Sequence, residues 1–201
     1  MKISIEGNIG SGKSTLISRL CKEKRIPVFL EPVDEWKEWL TLFYTDPTRW
    51  GLSFNLHVLL TFNRWKDNAF FAIYERSPLS NRYVFTELGH DEGRLNNLEL
   101  ELFDTMYQKL AWEPDVVIYI RTDPQTSMER MQARARECES CVPLDYLKAI
   151  HNKHEKLFCT ENTSVEASRS NKKIIVINGN QSADCVYEDV VKALTPFMQH
   201  K

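Results

Sequence analysis

The sequence predicts an α/β fold in which a five-stranded parallel sheet is flanked by helices, and two observations carry that prediction. Short β-branched or aromatic runs recur at Ile3–Ile5, Val28–Leu30, Phe70–Tyr74, Val116–Ile120 and Ile174–Ile177. Long helical patterns separate them, the alternation that builds parallel sheets. Most of the runs are apolar at successive positions, as strands covered by helices on both faces require. The 201 residues, 42% hydrophobic and 27% charged, are expected to make one domain, residues 1–201, with a core that needs neither metal nor disulfide.

Taken in order, the first run leads into Gly7-Asn8-Ile9-Gly10-Ser11-Gly12-Lys13-Ser14, which fits G-x-x-x-x-G-K-[ST] between a strand and a helical pattern. Glycines let consecutive N–H groups turn inward toward phosphate oxygens, Lys13 adds a mobile charge, and Ser14 offers a hydroxyl to Mg²⁺. ATP-type binding follows. The second run is followed by Glu31-Pro32-Val33-Asp34-Glu35-Trp36 and the third by Glu75-Arg76-Ser77, both at carboxyl ends of strands, where open α/β sheets hold their ligands. One Glu there can accept a hydroxyl proton, a second can hold Mg²⁺, and Arg can neutralise phosphoryl oxygens. Structural ion pairs would use the same residue types.

Asp46-Pro47, Ser77-Pro78 and Asp123-Pro124 each place a capping oxygen before a proline, so three helices are expected to start there. The segment Pro47–Lys66 is apolar around much of its circumference and reads as a buried helix. Asn55, Val58 and Phe62 share one face of it, as a pocket floor or simply as core. Leu98, Leu102, Met106 and Leu110 form one stripe, and Val186, Val190, Leu194 and Phe197 another, each expected to pack on a core. Arg130 and Arg134 lie on one helix face running into Arg136, and Glu161–Lys173 reads as a loop.

Other classes are excluded. The 26 basic and 28 acidic residues leave a net charge of −2, so no general attraction to nucleic acid or anionic membrane is built in. The longest apolar run, Ala69–Tyr74, is far short of the ~20 residues a membrane span needs. Glu6 interrupts the first hydrophobic segment, so no targeting leader is expected and the default is a cytoplasmic protein. Five cysteines suit reduced thiols. Cys138-x-x-Cys141 with His151-x-x-His154 has the wrong spacing for a zinc finger.

The segments Ile5-Glu6-Gly7-Asn8-Ile9-Gly10-Ser11-Gly12-Lys13-Ser14-Thr15, Glu31-Pro32-Val33, Glu75-Arg76-Ser77 and Arg134-Ala135-Arg136, in this order, resemble the deoxyribonucleoside kinase family over nearly the whole chain. The stretch Glu139–Leu147 is similar to the multisubstrate insect kinase and mitochondrial thymidine kinase branch. The resemblance implies a P-loop kinase fold with a helical lid at about residues 130–142, and transfer of the ATP γ-phosphate to a deoxynucleoside 5′-hydroxyl. It implies ATP and Mg²⁺ held by Gly7 to Thr15, with Ser14 and Glu75 on the metal. Glu31 would be the base, Arg76 and Lys13 the catalytic cations, and Arg130, Arg134 and Arg136 the lid cations. Glu139 and Tyr44 would meet the 3′-hydroxyl, Phe54 and Phe85 would sandwich the base, and Trp36 would close the pocket.

Asn55 stands where the family carries a base-reading glutamine, one methylene longer. Phe62 and Asn81 stand where the deoxycytidine kinase branch uses Arg and Asp, so uncharged pyrimidine deoxynucleosides, thymidine and deoxycytidine, are the expected substrates. Asn178-Gly179-Asn180-Gln181 matches the family's adenine loop, or is a plain turn. A homodimer through the helices near Leu56–Trp65 and Leu98–Leu110 is implied, as is a deoxynucleoside triphosphate as feedback inhibitor. The alternatives are a thymidylate-kinase-like monophosphate kinase and a catalytically silent nucleotide-binding subunit.

Overall fold

The computed structural model describes residues 1–136, 142–159 and 173–198. Five strands, β1 (Lys2–Gly7), β2 (Val28–Phe29), β3 (Ala72–Glu75), β4 (Val116–Arg121) and β5 (Lys173–Asn178), form one sheet in the order β2-β3-β1-β4-β5. Every pairing is parallel. Ile5 lies opposite Glu75, so β1 and β3 release their following loops side by side at one edge of the sheet.

Helices α1 (Lys13–Lys24) and α9 (Ala183–Met198) cover one face. There Ile3, Ile5, Ile118 and Ile120 pack against Leu16, Leu20, Val190 and Leu194. The stripe predicted at Val186, Val190 and Leu194 is buried. The other face carries Val117 and Tyr119 under α8 (Leu144–Phe158) and a contiguous helical run: α4 (Pro78–Ser80), a π-turn (Asn81–Thr86) and α5 (Glu87–Asp91). Because strand side chains alternate, Ser4 and Glu6 of β1 point into this second face, both fully buried. Helices α2 (Val33–Thr45) and α6 (Asn97–Leu110) both pack against α3 (Pro47–Asn63), and α7 (Pro124–Arg134) follows β4.

Several expectations are corrected. Phe70 and Phe71 precede β3, and Phe70 is exposed, because the strand pairs only from Ala72. The edge strands β2 and β5 are only partly covered, so burial on both faces holds for the inner three. Helix α3 ends at Asn63, not Lys66. On α6 the predicted core stripe faces outward at Leu98 and Leu102, while Phe103, one position on, is the buried anchor.

Among the predicted caps, Asp46 accepts from Arg49 N at 3.0 Å, whereas Asp123 and Ser77 make no side-chain cap bond. A capping box not foreseen, Asn96 with Glu99, starts α6. Of the predicted loop, residues 161–172 lie outside the described residues and Lys173 opens β5. Cys138 and Cys141 lie outside them as well, and among the described residues no cluster of three or more His, Cys, Asp or Glu could hold a metal ion.

Candidate active site

The phosphate loop leaves β1 at Gly7 and enters α1 at Lys13. Gly10 has φ +77 and a Cβ there would stand 2.2 Å from Ser127 O, so only glycine lets the loop lie against α7. Gly12, with φ +91 in open space, is required by conformation alone. Asn8 ties the loop to α8: its Oδ1 accepts from Ile9 N, and its Nδ2 donates to Leu147 O at 2.8 Å. Lys13 folds inward, donating to Asn8 O at 2.8 Å and Ser11 Oγ at 3.4 Å. Burial, with Arg76 nearby, lowers its ammonium to about 8, against the pull of Glu31, Glu75 and Glu6.

The strand-end charges converge on this loop. Ser14 Oγ donates to Glu75 Oε1 at 2.6 Å, and Glu31 N donates to Glu75 Oε2 at 3.3 Å. Arg76 Nε lies 2.8 Å from Glu31 Oε1, and its Nη1 donates to Gly7 O at 2.7 Å. Burial raises the Glu31 carboxyl above its ordinary range, with Glu75 adding to this and the Arg76 guanidinium opposing it. A hydroxyl and a carboxylate oxygen 2.6 Å apart beside the phosphate loop form an all-oxygen donor pair suited to Mg²⁺.

Beyond these charges lies an apolar compartment of the same cleft. Val58 and Phe62 of α3 form its floor, with Trp36 edge-on to Phe62 at 6.0 Å and to Phe54 at 6.3 Å. Trp36 Nε1 donates to Thr61 Oγ1, which fixes the indole. The π-turn brings Asn81 and Phe85 to the opposite wall, and Phe85 lies 4.9 Å from the Arg76 guanidinium. Asn55 Nδ2 donates to Gly51 O at 2.8 Å, and its Oδ1 accepts from Asn81 Nδ2 at 3.2 Å. Both groups of Asn55 are thereby engaged, and the buried Asn81 Oδ1 is left without a hydrogen bond among the described residues.

Of the residues predicted from sequence, Ile9, Gly10, Gly12, Lys13, Ser14, Thr15, Glu31, Trp36, Tyr44, Phe54, Asn55, Val58, Phe62, Glu75, Arg76, Asn81, Phe85, Arg134 and Arg136 line this one cleft. Gly7, Asn8 and Ser11 buttress the loop from beneath. Arg130 is not among the residues that line the cleft: it donates to Gly179 O at 2.8 Å and Gln181 O at 3.1 Å, pinning the turn after β5. That turn is tied again by Asn180 Oδ1, which accepts from Asp123 N. Glu139 lies outside the described residues.

Leu40, Phe43 and Tyr146 also line the cleft and escaped the sequence reading, although Trp36, Leu40 and Phe43 fall at helical spacing along α2. Glu6, to which the sequence assigns no site role, lies fully buried beneath the site with Ser77 Oγ donating to it at 2.6 Å.

A family model for deoxynucleoside kinase matches residues 3–199. A probable deoxycytidine kinase of fowlpox virus is 36% identical over 193 residues, covering 89% of this chain and 79% of that protein. Human mitochondrial thymidine kinase 2 is 34% identical over 166 residues, covering 77% of this chain, which spans less than two thirds (63%) of that protein's length. The structure of a deoxyadenosine kinase from M. mycoides with bound dCTP superposes with a TM-score of 0.83 at 20% identity, over 98% of this chain and 100% of that one, a likeness of fold. The chain belongs to the deoxynucleoside kinase family and is an ATP-dependent kinase that phosphorylates nucleosides.

Proposed function

We propose that the chain transfers the γ-phosphoryl group of ATP to the 5′-hydroxyl of a pyrimidine deoxyribonucleoside, thymidine or deoxycytidine. The observation that carries this reading is the Glu31–Arg76 contact of 2.8 Å, placed where the phosphate loop meets a compartment of aromatic side chains. A neutral hydroxyl entering from that compartment finds a carboxylate to take its proton and a guanidinium for the phosphoryl oxygens. Phosphoryl transfer passes through a loose transition state, so placement of these groups matters more than strong basicity. Lys13 and the loop N–H groups hold the donor phosphates. Ser14 and Glu75 fit Mg²⁺, which when bound neutralises charge on the donor phosphates. Arg134 and Arg136 line the cleft as its lid cations.

The pyrimidine preference rests on Phe62 and Asn81, neither of which brings a charge to the base edge. A deoxynucleoside triphosphate with its base in the aromatic compartment and its phosphates on the loop is the proposed feedback inhibitor. The outward Leu60, Leu98 and Leu102 of α3 and α6 supply an apolar face for a homodimer. No described helix is long and apolar enough to cross a membrane, and a cytoplasmic location is proposed.

The test is a panel of the four deoxynucleosides and their monophosphates with ATP and Mg²⁺, followed by product formation. Pyrimidine deoxynucleosides are expected to be the best acceptors. A purine preference overturns the base assignment, turnover of monophosphates alone points to a monophosphate kinase, and no turnover with any acceptor points to a silent subunit.

A further inference from the structure

Arg25, Arg76 and Ala135 are the three non-glycine residues with positive φ among those described. Arg25 and Ala135 are C-caps of α1 and α7, where the left-handed conformation closes a helix at little cost. Arg76 has no such excuse. It follows a strand, has φ +62, and presents its side chain to the reaction cleft. Something must hold it there.

The chain around Arg76 is gripped by three successive residues of β1. Arg76 N donates to Ile5 O at 3.1 Å, and Arg76 Nη1 donates to Gly7 O at 2.7 Å. Glu6, between them, turns its carboxylate into the second face of the sheet and accepts from Ser77 Oγ at 2.6 Å. Ser77 is the residue before Pro78 at the start of α4, a place where a serine hydroxyl ordinarily caps the helix. It makes no cap bond; its hydroxyl is turned toward Glu6 and donates there.

Glu6 is costly where it stands. It is fully buried on the central strand, its Oε2 has no hydrogen bond among the described residues, and an aliphatic side chain would suit the sheet face better. Burial disfavours its charge, while Ser77 first, then the neighbouring Arg76 guanidinium and the hydroxyls of Ser80 and Ser4, favour it.

We propose that Glu6 and Ser77 are positioning residues: their buried hydrogen bond locks the strand end so that Arg76 stays left-handed and its guanidinium stays against Glu31. The proposal rests on the reading of Arg76 as a group that meets the reacting oxygens. Without the lock, residue 76 can relax toward an extended conformation and withdraw its side chain from the 5′-oxygen.

The experiment is a double-mutant cycle in the full chain, read as kcat and KM for thymidine and as ATP affinity by calorimetry. Ser77→Ala and Glu6→Ala are each expected to lower kcat at least tenfold, with KM and ATP affinity changed less than threefold. Glu6→Gln, which keeps an oxygen acceptor for Ser77, is expected to restore most of the loss. In an Arg76→Lys background, already slowed, Ser77→Ala is expected to cost nothing further, the non-additivity of residues that act through one another. Ser77→Cys, which keeps the volume and donates weakly, reads the same bond if the alanine variant fails to fold. A large loss in Arg76→Lys beside silent Ser77→Ala and Glu6→Ala overturns the positioning role alone, as does an equal Ser77→Ala loss in both backgrounds. Wild-type kcat in Arg76→Lys overturns the positioning role and the reading of Arg76 together.

Discussion

Arg76 Nε and Glu31 Oε1 stand 2.8 Å apart, an ion pair between residues that follow β3 and β2 and meet above the phosphate loop. The pair restrains both members: Glu31 cannot rotate away, and Arg76 holds down a carboxyl that burial would otherwise push further up. Replacing Glu31 with Gln keeps the shape and a hydrogen-bond acceptor and removes the proton acceptor. Glu31→Gln is therefore expected to lower kcat by about 10²-fold or more, the usual scale of a lost general base, with a much smaller change in nucleoside KM. Steady-state kinetics decides it, and near-wild-type kcat removes Glu31 from the base role.

Asn55 is shorter than the glutamine expected of the family, and its two polar groups are taken up by Gly51 O and Asn81 Nδ2. Asn55→Gln adds one methylene and reaches past those partners toward the base edge. It is expected to raise kcat/KM for pyrimidine deoxynucleosides severalfold, since one net hydrogen bond is worth about 1 kcal/mol. The ratio of mutant to wild-type kcat/KM for thymidine and deoxycytidine is the measurement. An unchanged or lower value means the Asn55–Asn81 pair reads the base as it stands.

What the sequence made legible was whatever is determined locally. The phosphate loop announces itself because its glycines, Lys13 and Ser14 sit at fixed offsets from a strand and a helix. The charges at Glu31, Glu75 and Arg76 could be placed because they follow apolar runs. The rest depends on contacts far apart in the chain. Glu6 meets Ser77 across 71 positions and Arg130 meets Gly179 across 49, so neither partner is visible from spacing. The π-turn that aims Asn81 and Phe85 at the cleft has no periodic signature of its own. On α6, Leu98 and Leu102 satisfied a helical stripe, yet Phe103 took the interior, because periodicity marks a face without saying which neighbour covers it.

His154 is fully buried, with Nδ1 2.8 Å from Ile150 O and its ring stacked on Tyr119 at 5.6 Å. Burial first, and then the charges of Arg76 and Lys13, hold its pKa well below the usual value. The folded chain thus refuses a proton that the unfolded chain accepts at about pH 6.5. As pH falls below that value the unfolded state binds the extra proton, and stability declines by up to about 1.4 kcal/mol per pH unit. The raised carboxyls Glu6 and Glu31 act in the opposite direction, because the fold takes up their protons at a higher pH than the unfolded chain does. Thermal midpoints between pH 7 and 5 are expected to fall more steeply for the wild type than for His154→Gln, and parallel slopes would dismiss this residue as a source of acid sensitivity.

Lys13 gives the sharpest pH test of donor binding. Its ammonium is lowered from 10.5 to about 8 in the ligand-free fold, mainly by burial. Triphosphate oxygens arriving beside it favour the charged form, so the bound complex holds the proton to a higher pH than the free protein does. The sign follows from linkage: above about pH 8 the free chain has lost a proton that the complex retains, so ATP binding takes up protons and affinity falls as pH rises. Below that value Lys13 is charged in both states and no uptake from it is expected. Calorimetry of ATP binding at pH 7 and pH 9, in buffers of different ionisation enthalpy, measures the uptake directly. Wild type is expected to take up a fraction of a proton at pH 9 and none from this group at pH 7. Lys13→Arg, whose guanidinium stays charged throughout, is expected to lose the uptake at pH 9 and with it the slope of affinity against pH. An arginine variant that still takes up protons at pH 9 would assign the titration to another group.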